Sequence, residues 1–266
     1  MRGPKQLLEN EDRLVTRMGA WFPGERVVFR GKDLHVDLGN LTWMDLYLYS
    51  VTGRRFKESE LRVLNAIWTY TSFPDPRLWN NRIAALAGTT RSTGVLGISA
   101  ATAVSEASIY GRRPDIRSID FLLRAQKRRA QGTELATLVK EELRKHRGIY
   151  GYGRPLIRED ERIPHLLRLA AEEGLHDGPY VQLAFDVEQI LLTGRWRLHM
   201  NYAGLAAGLC ADLGFTPRTF YLFLIPVFVA GMLPCFIEAS EKSEGAFLPL
   251  SCSRIAYEGP HRRDWD

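Results

Sequence analysis

The chain has 266 residues, 45% of them hydrophobic and 25% charged, and its formal net charge is +5. This is the composition of a soluble globular protein with a sizeable core, and the mild basic excess fits an anionic ligand such as a phosphorylated cofactor. The three cysteines, at positions 210, 235 and 252, are odd in number and far apart. They favour reduced thiols in the cytoplasm over a disulfide framework or a cysteine zinc site.

The N-terminal part begins with charged residues and has no apolar segment, so we expect no secretory signal. Val27–Asp37 alternates over a short distance, which is typical of a small strand or turn region. Helical spacing follows, where Ser59 precedes apolar residues on one helix face and is predicted to cap that helix. No strand pair with a tight hairpin turn is predicted.

The middle of the chain contains further helical patterns. Gly94–Ser108 is rich in Gly, Ser and Ala, and such small residues let two helices approach closely. Ser118 is predicted to cap the apolar helix that follows it, and Pro164 and Pro179 stand where helices often start. The chain is therefore predicted to be nearly all helical, with short connections.

The most apolar segment is Phe220–Ile237, whose 18 uncharged residues reach the lower limit for a membrane span. Pro226, Gly231 and Pro234 interrupt it, and the sequence contains no second segment of this kind. A helix that is apolar all round is also typical of a buried central helix. We therefore interpret the segment as core and expect no membrane partner.

Basic residues cluster in three runs, Arg112–Ser118, Lys127–Arg129 and Arg144–Arg147. The runs fall on amphipathic helices with acidic residues nearby, and no aromatic residues interleave with them for base stacking. We interpret them as solvated helix faces and expect no nucleic-acid partner. No spacing of His, Cys, Asp and Glu indicates a metal site.

Six segments, in chain order, carry a resemblance to one family. The loop GYGRPLIREDER is similar to that family's Gly-[Phe/Tyr]-Gly-His-Pro loop, NYAG to its Asn-Val-Asp-Gly stretch, and SIYG to its Pro-Leu-His-Gly turn. Together they resemble the citrate synthase superfamily, above all its short form: citryl-CoA lyase-type proteins and the lyase module of ATP-citrate lyase. The segments are Gly31–Glu60, Ile83–Gly111, Gly151–Arg162, Asn201–Pro217, Ile225–Ala239 and Arg254–Trp265.

The resemblance implies an all-α, two-lobed fold. A large domain would comprise residues 1–112 and 199–266, and a small domain residues 113–198. It also implies a homodimer that pairs through the small-residue helices of Gly94–Ser108 and the apolar helix of Phe220–Ile237, and an acyl-CoA thioester and a carboxylate as small-molecule ligands. No metal is implied.

The family's chemistry needs one carboxylate as base and two imidazoles as proton donors, with arginines to clamp carboxylates. In this sequence the imidazoles fall on Tyr110 and Arg154, the carboxylate on Ala203, and the clamping arginine of the buried helix on Phe228. Alanine cannot take a proton, and arginine cannot act as an acid or base, although it can polarise a carbonyl or clamp an anion. An earlier family histidine falls near Phe73.

Tyr110 can donate a hydrogen bond to an enolate, and Glu106, four residues earlier on the same helix face, is a substitute base. With Arg154 they form the predicted catalytic set. His199 lies two residues before Asn201, close enough to turn toward the site. The predicted substrate-binding residues are Gly151, Gly153, Arg158, Asp160, Arg162, His199, Asn201, Ala203, Phe228 and Arg254.

The sequence therefore predicts a diverged citrate synthase-like enzyme that makes or breaks a carbon–carbon bond on an acyl-CoA. It would use a less charged partner than oxaloacetate, because Phe228 makes one side of the pocket apolar. Two alternatives stay open. One is a catalytically inactive protein that binds CoA or regulates, and the other is a structural subunit that pairs with a catalytically complete homologue.

Overall fold

The structure is a computed structural model that describes residues 3–108, 111–154, 158–195, 197–246 and 252–261. Within these ranges it contains twelve α-helices and one small sheet, which confirms the predicted all-α class. The helices are α1 Pro4–Glu9, α2 Trp43–Thr52, α3 Glu58–Thr71, α4 Trp79–Thr89, α5 Gly94–Val104, α6 Arg112–Ala130, α7 Leu135–His146, α8 Arg162–Glu172, α9 Pro179–Thr193, α10 Tyr202–Asp212, α11 Pro217–Leu224 and α12 Val229–Glu241.

The chain forms two compact units, Met1–Asn65 and Ala66–Asp266. The first contains an antiparallel sheet of β1 (Gly19–Phe22), β2 (Arg26–Phe29) and β3 (Lys32–Asp33), in that order. The expectation of no hairpin was wrong. β2 and β3 are joined by Arg30 and Gly31, which both have positive φ, 48° and 80°, and this left-handed pair makes a two-residue hairpin turn.

Side-chain contacts connect this sheet to α2 within the first unit. The Arg30 guanidinium donates from Nε and Nη2 to the carbonyl oxygen of Ser50, at 3.0 and 2.9 Å. Helix α2 is capped at its start by Thr42, whose hydroxyl accepts from the Asp45 amide, and at its end by Gly53, which has the left-handed conformation. These capping contacts fix both ends of α2.

Helix α10 is the buried helix of the second unit, with nine of its residues in the core. It packs against α6, α8 and α9. The carboxylate of Asp212, at its C-terminal end, accepts hydrogen bonds from the amides of Tyr180 and Val181 at 2.9 and 3.0 Å. It thereby caps α9, which begins at Pro179 as predicted.

Helices α4, α5 and α12 form a second packed group in this unit. Gly88 of α4 lies so close to α12 that a Cβ there would stand 2.4 Å from the carbonyl oxygen of Phe236. Gly97 of α5 is similarly close to Ala87, at 2.7 Å. The small residues thus bring these helices together, as the composition of Gly94–Ser108 indicated.

The apolar segment is divided into two helices rather than one. Taken as a single stretch, Pro217–Glu241 has the length and composition of a membrane span. A turn at 225–228 separates α11 from α12, and each helix buries one side in the core, including Phe223 of α11 and Met232 of α12. Leu233 and Ile237 of α12 are exposed.

Two predicted caps were wrong. Ser59 lies inside the first turn of α3, which begins at Glu58, and Ser118 lies inside α6, which begins at Arg112. Proline 114 is in the first turn of α6, where its missing N–H costs no intrahelical hydrogen bond. The helix therefore starts seven residues earlier than Ile119, where the predicted helix began.

Candidate active site

A cavity of about 780 Å³ lies within the second unit. Its wall is built from the start of α6, the glycine loop before α8, the start of α10, and the turn between α11 and α12. The predicted residues that border it are Gly151, Gly153, Arg154, Asp160, Arg162, Asn201, Ala203 and Phe228, together with Phe73.

The glycine loop is held against the start of α10 by main-chain hydrogen bonds. The Asn201 amide donates to the Gly151 carbonyl at 2.9 Å, and the Gly153 amide donates to the His199 carbonyl at 2.6 Å. The Asn201 side chain donates to the Gly153 carbonyl at 2.9 Å and accepts from the Ala203 amide at 3.0 Å, so that it also caps α10. Gly151 and Gly153 both have left-handed φ, 94° and 83°, which favours glycine at these positions.

Asp160 is the enclosed anion of the site. Arg162 binds its two carboxylate oxygens in bidentate fashion, Nε to Oδ1 at 2.8 Å and Nη2 to Oδ2 at 2.7 Å. The Tyr202 amide donates to Oδ2 at 2.9 Å, and the Arg162 guanidinium lies 4.6 Å from the centre of the Tyr202 ring. Burial opposes ionisation of Asp160, but the hydrogen bonds and charge of Arg162, with the Tyr202 amide and Arg154, outweigh it and lower the pKa of the carboxyl.

Arg154 is the more available of the two cations. Its Nη1 lies 2.5 Å from Oε2 of Glu161, whose side chain is 66% exposed. The distance from the same Nη1 to Oδ1 of Asp160 is longer, 3.6 Å. A pair with an exposed carboxylate is weak and can be exchanged for a ligand anion at small cost. Arg162, in contrast, donates two short hydrogen bonds to Asp160 and is less available to a ligand.

Another part of the lining is apolar and includes Phe228. Leu224 and Val227 border the cavity beside Phe228, and Phe73 lies on the same lining. Behind the ring of Phe228, at 4.6 Å from its centre, lies the guanidinium of Arg112. Arg112 is buried and donates from Nη2 to the Ile225 carbonyl at 2.6 Å.

Asp115 is a second acidic residue that borders the cavity, and the sequence reasoning missed it. Burial raises the pKa of its carboxyl to about 7, although the charges of Arg112 and Arg162 oppose the rise. The run Arg112–Ser118 was interpreted as a solvated face, and this was wrong for Arg112 and Ser118, which are both buried. The signal in the sequence that could have indicated this site is the position of Asp115 inside a basic run at the start of a helix.

The remaining predicted residues do not border the cavity or lie outside the described residues. Tyr110 lies outside the described residues, although the adjoining Gly111 borders the cavity. Glu106 is exposed and accepts a hydrogen bond from the Tyr221 hydroxyl at 3.0 Å, so the structure does not bring it to the cavity. Of the residues described, those that border the cavity do not include Glu106, Arg158, His199 or Arg254.

His199 is nevertheless a neighbour of the site through its main chain. Its carbonyl accepts from Gly153, while its Nδ1 lies 3.5 Å from Oε1 of Glu188. Arg158 and Arg254 are exposed. His146, which was not predicted, borders the cavity, with its Nε2 3.8 Å from Oε1 of Glu142.

The described part of the chain contains no group of three or more His, Cys, Asp or Glu side chains that could hold a metal ion. Cys210 and Cys235 are both free thiols in buried positions. The polar side chains that border the cavity offer carboxylate, imidazole, guanidinium, amide and phenol groups beside an apolar lining.

No protein-family model and no curated protein matches the sequence. Solved structures do match. The citryl-CoA lyase from Hydrogenobacter thermophilus aligns with a TM-score of 0.82 at 20% identity, over 95% of this chain and 97% of its own. An ATP citrate lyase from Methanosaeta concilii, in complex with (3S)-citryl-CoA, aligns with a TM-score of 0.73 at 16% identity, over 96% of this chain and 44% of its own.

The citrate synthase from Thermotoga maritima aligns with a TM-score of 0.65 at 18% identity, over 85% of this chain and 60% of its own. At these identities the similarity establishes the fold. The chain has the helical fold of the citrate synthase superfamily, and the resemblance seen in the sequence is confirmed at that level.

Proposed function

We propose that this protein binds an acyl-CoA in the cavity and makes or breaks a carbon–carbon bond next to the thioester carbonyl. The observation that carries the proposal is the cavity itself. In a chain with the fold of citryl-CoA lyase, the lining of the cavity includes both Arg154, on a glycine loop, and the apolar side chain of Phe228. One end of the ligand would be anionic and the other apolar.

The glycine loop supplies the anion end. Gly151 and Gly153 let the backbone approach a ligand closely, and Arg154 is paired mainly with the exposed Glu161. A ligand carboxylate or phosphate that displaced Glu161 would gain a charge-assisted hydrogen bond from a guanidinium that stays charged at every relevant pH.

The apolar wall limits the partner. Phe228 and Phe73 offer no charge to a second or third carboxylate, so a tricarboxylate would be held poorly. On the register of the sequence resemblance, Ala203 stands where the family has its base, and Ala203 does border the cavity. We therefore expect no citrate synthesis, and propose a partner with fewer carboxylates than oxaloacetate.

CoA is the proposed thioester carrier because of the fold. The ATP citrate lyase with this fold was solved with (3S)-citryl-CoA. The basic excess of the chain favours a phosphorylated ligand of that kind. No metal is proposed, and we place the protein in the cytoplasm.

We also propose a homodimer. Helices α5 and α12 pack together and expose apolar side chains on the same group, with Val95 78%, Leu96 64% and Ile237 49% exposed. Apolar surface of this kind marks a protein interface. A second copy is the proposed partner, because the small residues of α5 permit close helix approach.

A second candidate is an inactive CoA-binding or regulatory subunit, and Ala203 at the cavity wall favours it. The two candidates share the binding step and differ in turnover. A panel of acyl-CoA thioesters with oxo acids, followed by thiol release, separates them, because only an enzyme releases CoA faster than the buffer does.

The binding step is tested by calorimetry with CoA, acetyl-CoA and larger acyl-CoA thioesters. We expect Arg154→Ala to weaken binding by roughly 10- to 100-fold, the worth of one hydrogen bond to a charged group. Arg158→Ala is the matched control, since Arg158 belongs to the same loop, is exposed and does not border the cavity. No heat with any of these ligands would overturn the proposal for both candidates.

A further inference from the structure

The first turn of α6 brings an acid to the cavity. Asp115 lies three residues after the buried Arg112, and its neighbour Pro114 also borders the cavity. The charges of two guanidinium groups act on Asp115, that of Arg112 on its own helix and that of Arg162 at the start of α8. Among the described residues the carboxylate of Asp115 accepts no hydrogen bond. It is therefore free to exchange a proton with a bound ligand.

The other acid that borders the described cavity is unsuited to this task. Asp160 already accepts two hydrogen bonds from Arg162 and one from the Tyr202 amide. These contacts hold it as a carboxylate with a lowered pKa, and a ligand proton would have to displace them. Asp160 positions the arginine and does not transfer protons.

The hydroxyl groups along the wall are also unsuited. Burial raises the pKa of the Tyr202 and Tyr152 hydroxyls well above their usual value, and the Tyr152 hydroxyl donates to the Ala184 carbonyl at 2.8 Å. Tyr150 accepts from Arg117 at 2.7 Å. The imidazole of His146 also borders the cavity, with its Nε2 3.8 Å from Oε1 of Glu142.

We infer that Asp115 is the catalytic group that moves the proton in this cavity, with a β-hydroxyacyl-CoA as the substrate class; this inference rests on the proposed function. In cleavage, the Asp115 carboxylate takes the proton of the β-hydroxyl, and the O–H electrons form the new carbonyl. The bond between Cα and Cβ breaks, and its electrons become the enolate of the acyl-CoA. The Asp115 carboxylic acid then returns the proton to Cα.

The products are a carbonyl compound and an acyl-CoA, and the step needs no oxidant, reductant or further reactant. In the synthetic direction the same carboxylate takes the Cα proton first. A group with a pKa near the working pH is effective in both half-steps, and burial gives Asp115 a pKa of about 7. Phe228 and Phe73 would contact an apolar substituent on Cβ.

The test is the exchange of Cα protons of acetyl-CoA and propionyl-CoA in D₂O, followed by proton NMR, with and without pyruvate as the carbonyl partner. We expect the wild type to exchange, and Asp115→Asn to exchange at least about 100-fold more slowly, the usual worth of general acid–base catalysis. Calorimetry should show that Asp115→Asn binds the same thioesters within threefold. Asp120→Asn is the matched control, on the same helix and paired with the exposed Arg124.

The pH profile separates Asp115 from its surroundings. Arg112 and Arg162 stay protonated over this range, Asp160 stays a carboxylate and Tyr202 stays neutral, and the imidazole of His146 also borders the cavity. The exchange rate should rise through pH 7 in the wild type and in His146→Gln. Asp115→Glu should retain part of the exchange rate, and the midpoint of its pH profile should be shifted. A merely structural role of Asp115 would not produce this shift.

Three results would overturn the inference. An Asp115→Asn variant that exchanges Cα protons at the wild-type rate would show that Asp115 does not transfer the proton. A wild type that binds acyl-CoA and exchanges no Cα proton overturns the inference and leaves the binding proposal intact. A wild type that binds no acyl-CoA overturns both, so the two failures are distinguished by calorimetry.

Discussion

Gly151 and Gly204 lie against each other, so that a Cβ on Gly204 would stand 2.6 Å from the carbonyl oxygen of Gly151. In the other direction, a Cβ on Gly151 would stand 2.9 Å from the Cα of Gly204. This contact joins the glycine loop to the first turn of α10. It fixes the position of the glycine loop, and hence the position of Arg154, the more available cation of the cavity.

Gly204→Ala should therefore destabilise the protein and displace the loop. A Cβ there contacts the Gly151 carbonyl and Cγ of Met200, at 2.6 and 2.8 Å, and overpacking of this kind costs about 1–3 kcal/mol. We expect that loss in the free energy of unfolding, measured with urea. Gly148→Ala is the matched control: a Cβ there has open space, and its effect should stay within about 1 kcal/mol. Equal stability of Gly204→Ala and the wild type would contradict the packing described.

Asp160→Asn should cost more than the loss of a surface ion pair. The change leaves the guanidinium of Arg162 half-buried without its carboxylate, and breaking a buried pair costs about 3–5 kcal/mol. Asp186→Asn is the control, since the pair of Asp186 and Arg129 is about half exposed and should be worth less than about 1 kcal/mol.

The pH dependence of this pair has a definite sign. The pKa of Asp160 is lowered in the folded state, so its contribution to stability is present above the unfolded pKa and is lost as the pH falls through the folded value. Urea unfolding at pH 7 and pH 3 should show the difference between wild type and Asp160→Asn shrinking at the lower pH. A constant difference would contradict the ionised state assigned to Asp160.

Asp115 should show the opposite pH dependence. Its pKa is raised from 3.8 to about 7, so the folded state holds a proton that the unfolded state has lost between about pH 4 and pH 7. The free energy of unfolding therefore falls as the pH rises through that window. Relative to Asp115→Asn, the wild type should lose up to roughly 3 kcal/mol between pH 5 and pH 8. Asp120→Asn should track the wild type, and parallel curves for wild type and Asp115→Asn would contradict the raised pKa.

Local patterns in the sequence were sufficient for the helices and for the glycine loop. Pro179 starts α9 as predicted, and the predicted loop residues Gly151 and Gly153 border the cavity. Proline and glycine can be interpreted from the sequence because each acts through the preferences of its own backbone. The turn at Arg30 and Gly31 was missed, since an arginine with positive φ is uncommon and carries no turn signal of its own.

Long-range contacts explain what the sequence did not predict. Arg112 belongs to a basic run that looks like a solvated face, yet its partners are Phe228 and the Ile225 carbonyl, 113 residues away in the chain. Asp115 acquires its raised pKa from the same burial. Helical spacing cannot reveal either, because both depend on which distant turn packs against the start of α6.

The apolar surface of α5 and α12 gives the last prediction, on oligomeric state. If a second copy covers it, the wild type should have about twice the mass of the 30.3 kDa chain in analytical ultracentrifugation. Leu96→Glu and Ile237→Glu should each give a monomer, because both side chains are exposed, at 64% and 49%, and a buried carboxylate without a partner is costly. Val36→Glu, at an apolar position 81% exposed in the first unit, should leave the mass unchanged. A monomeric wild type at micromolar concentration would refute the dimer, and a dimer that persists in both glutamate variants would place the interface elsewhere.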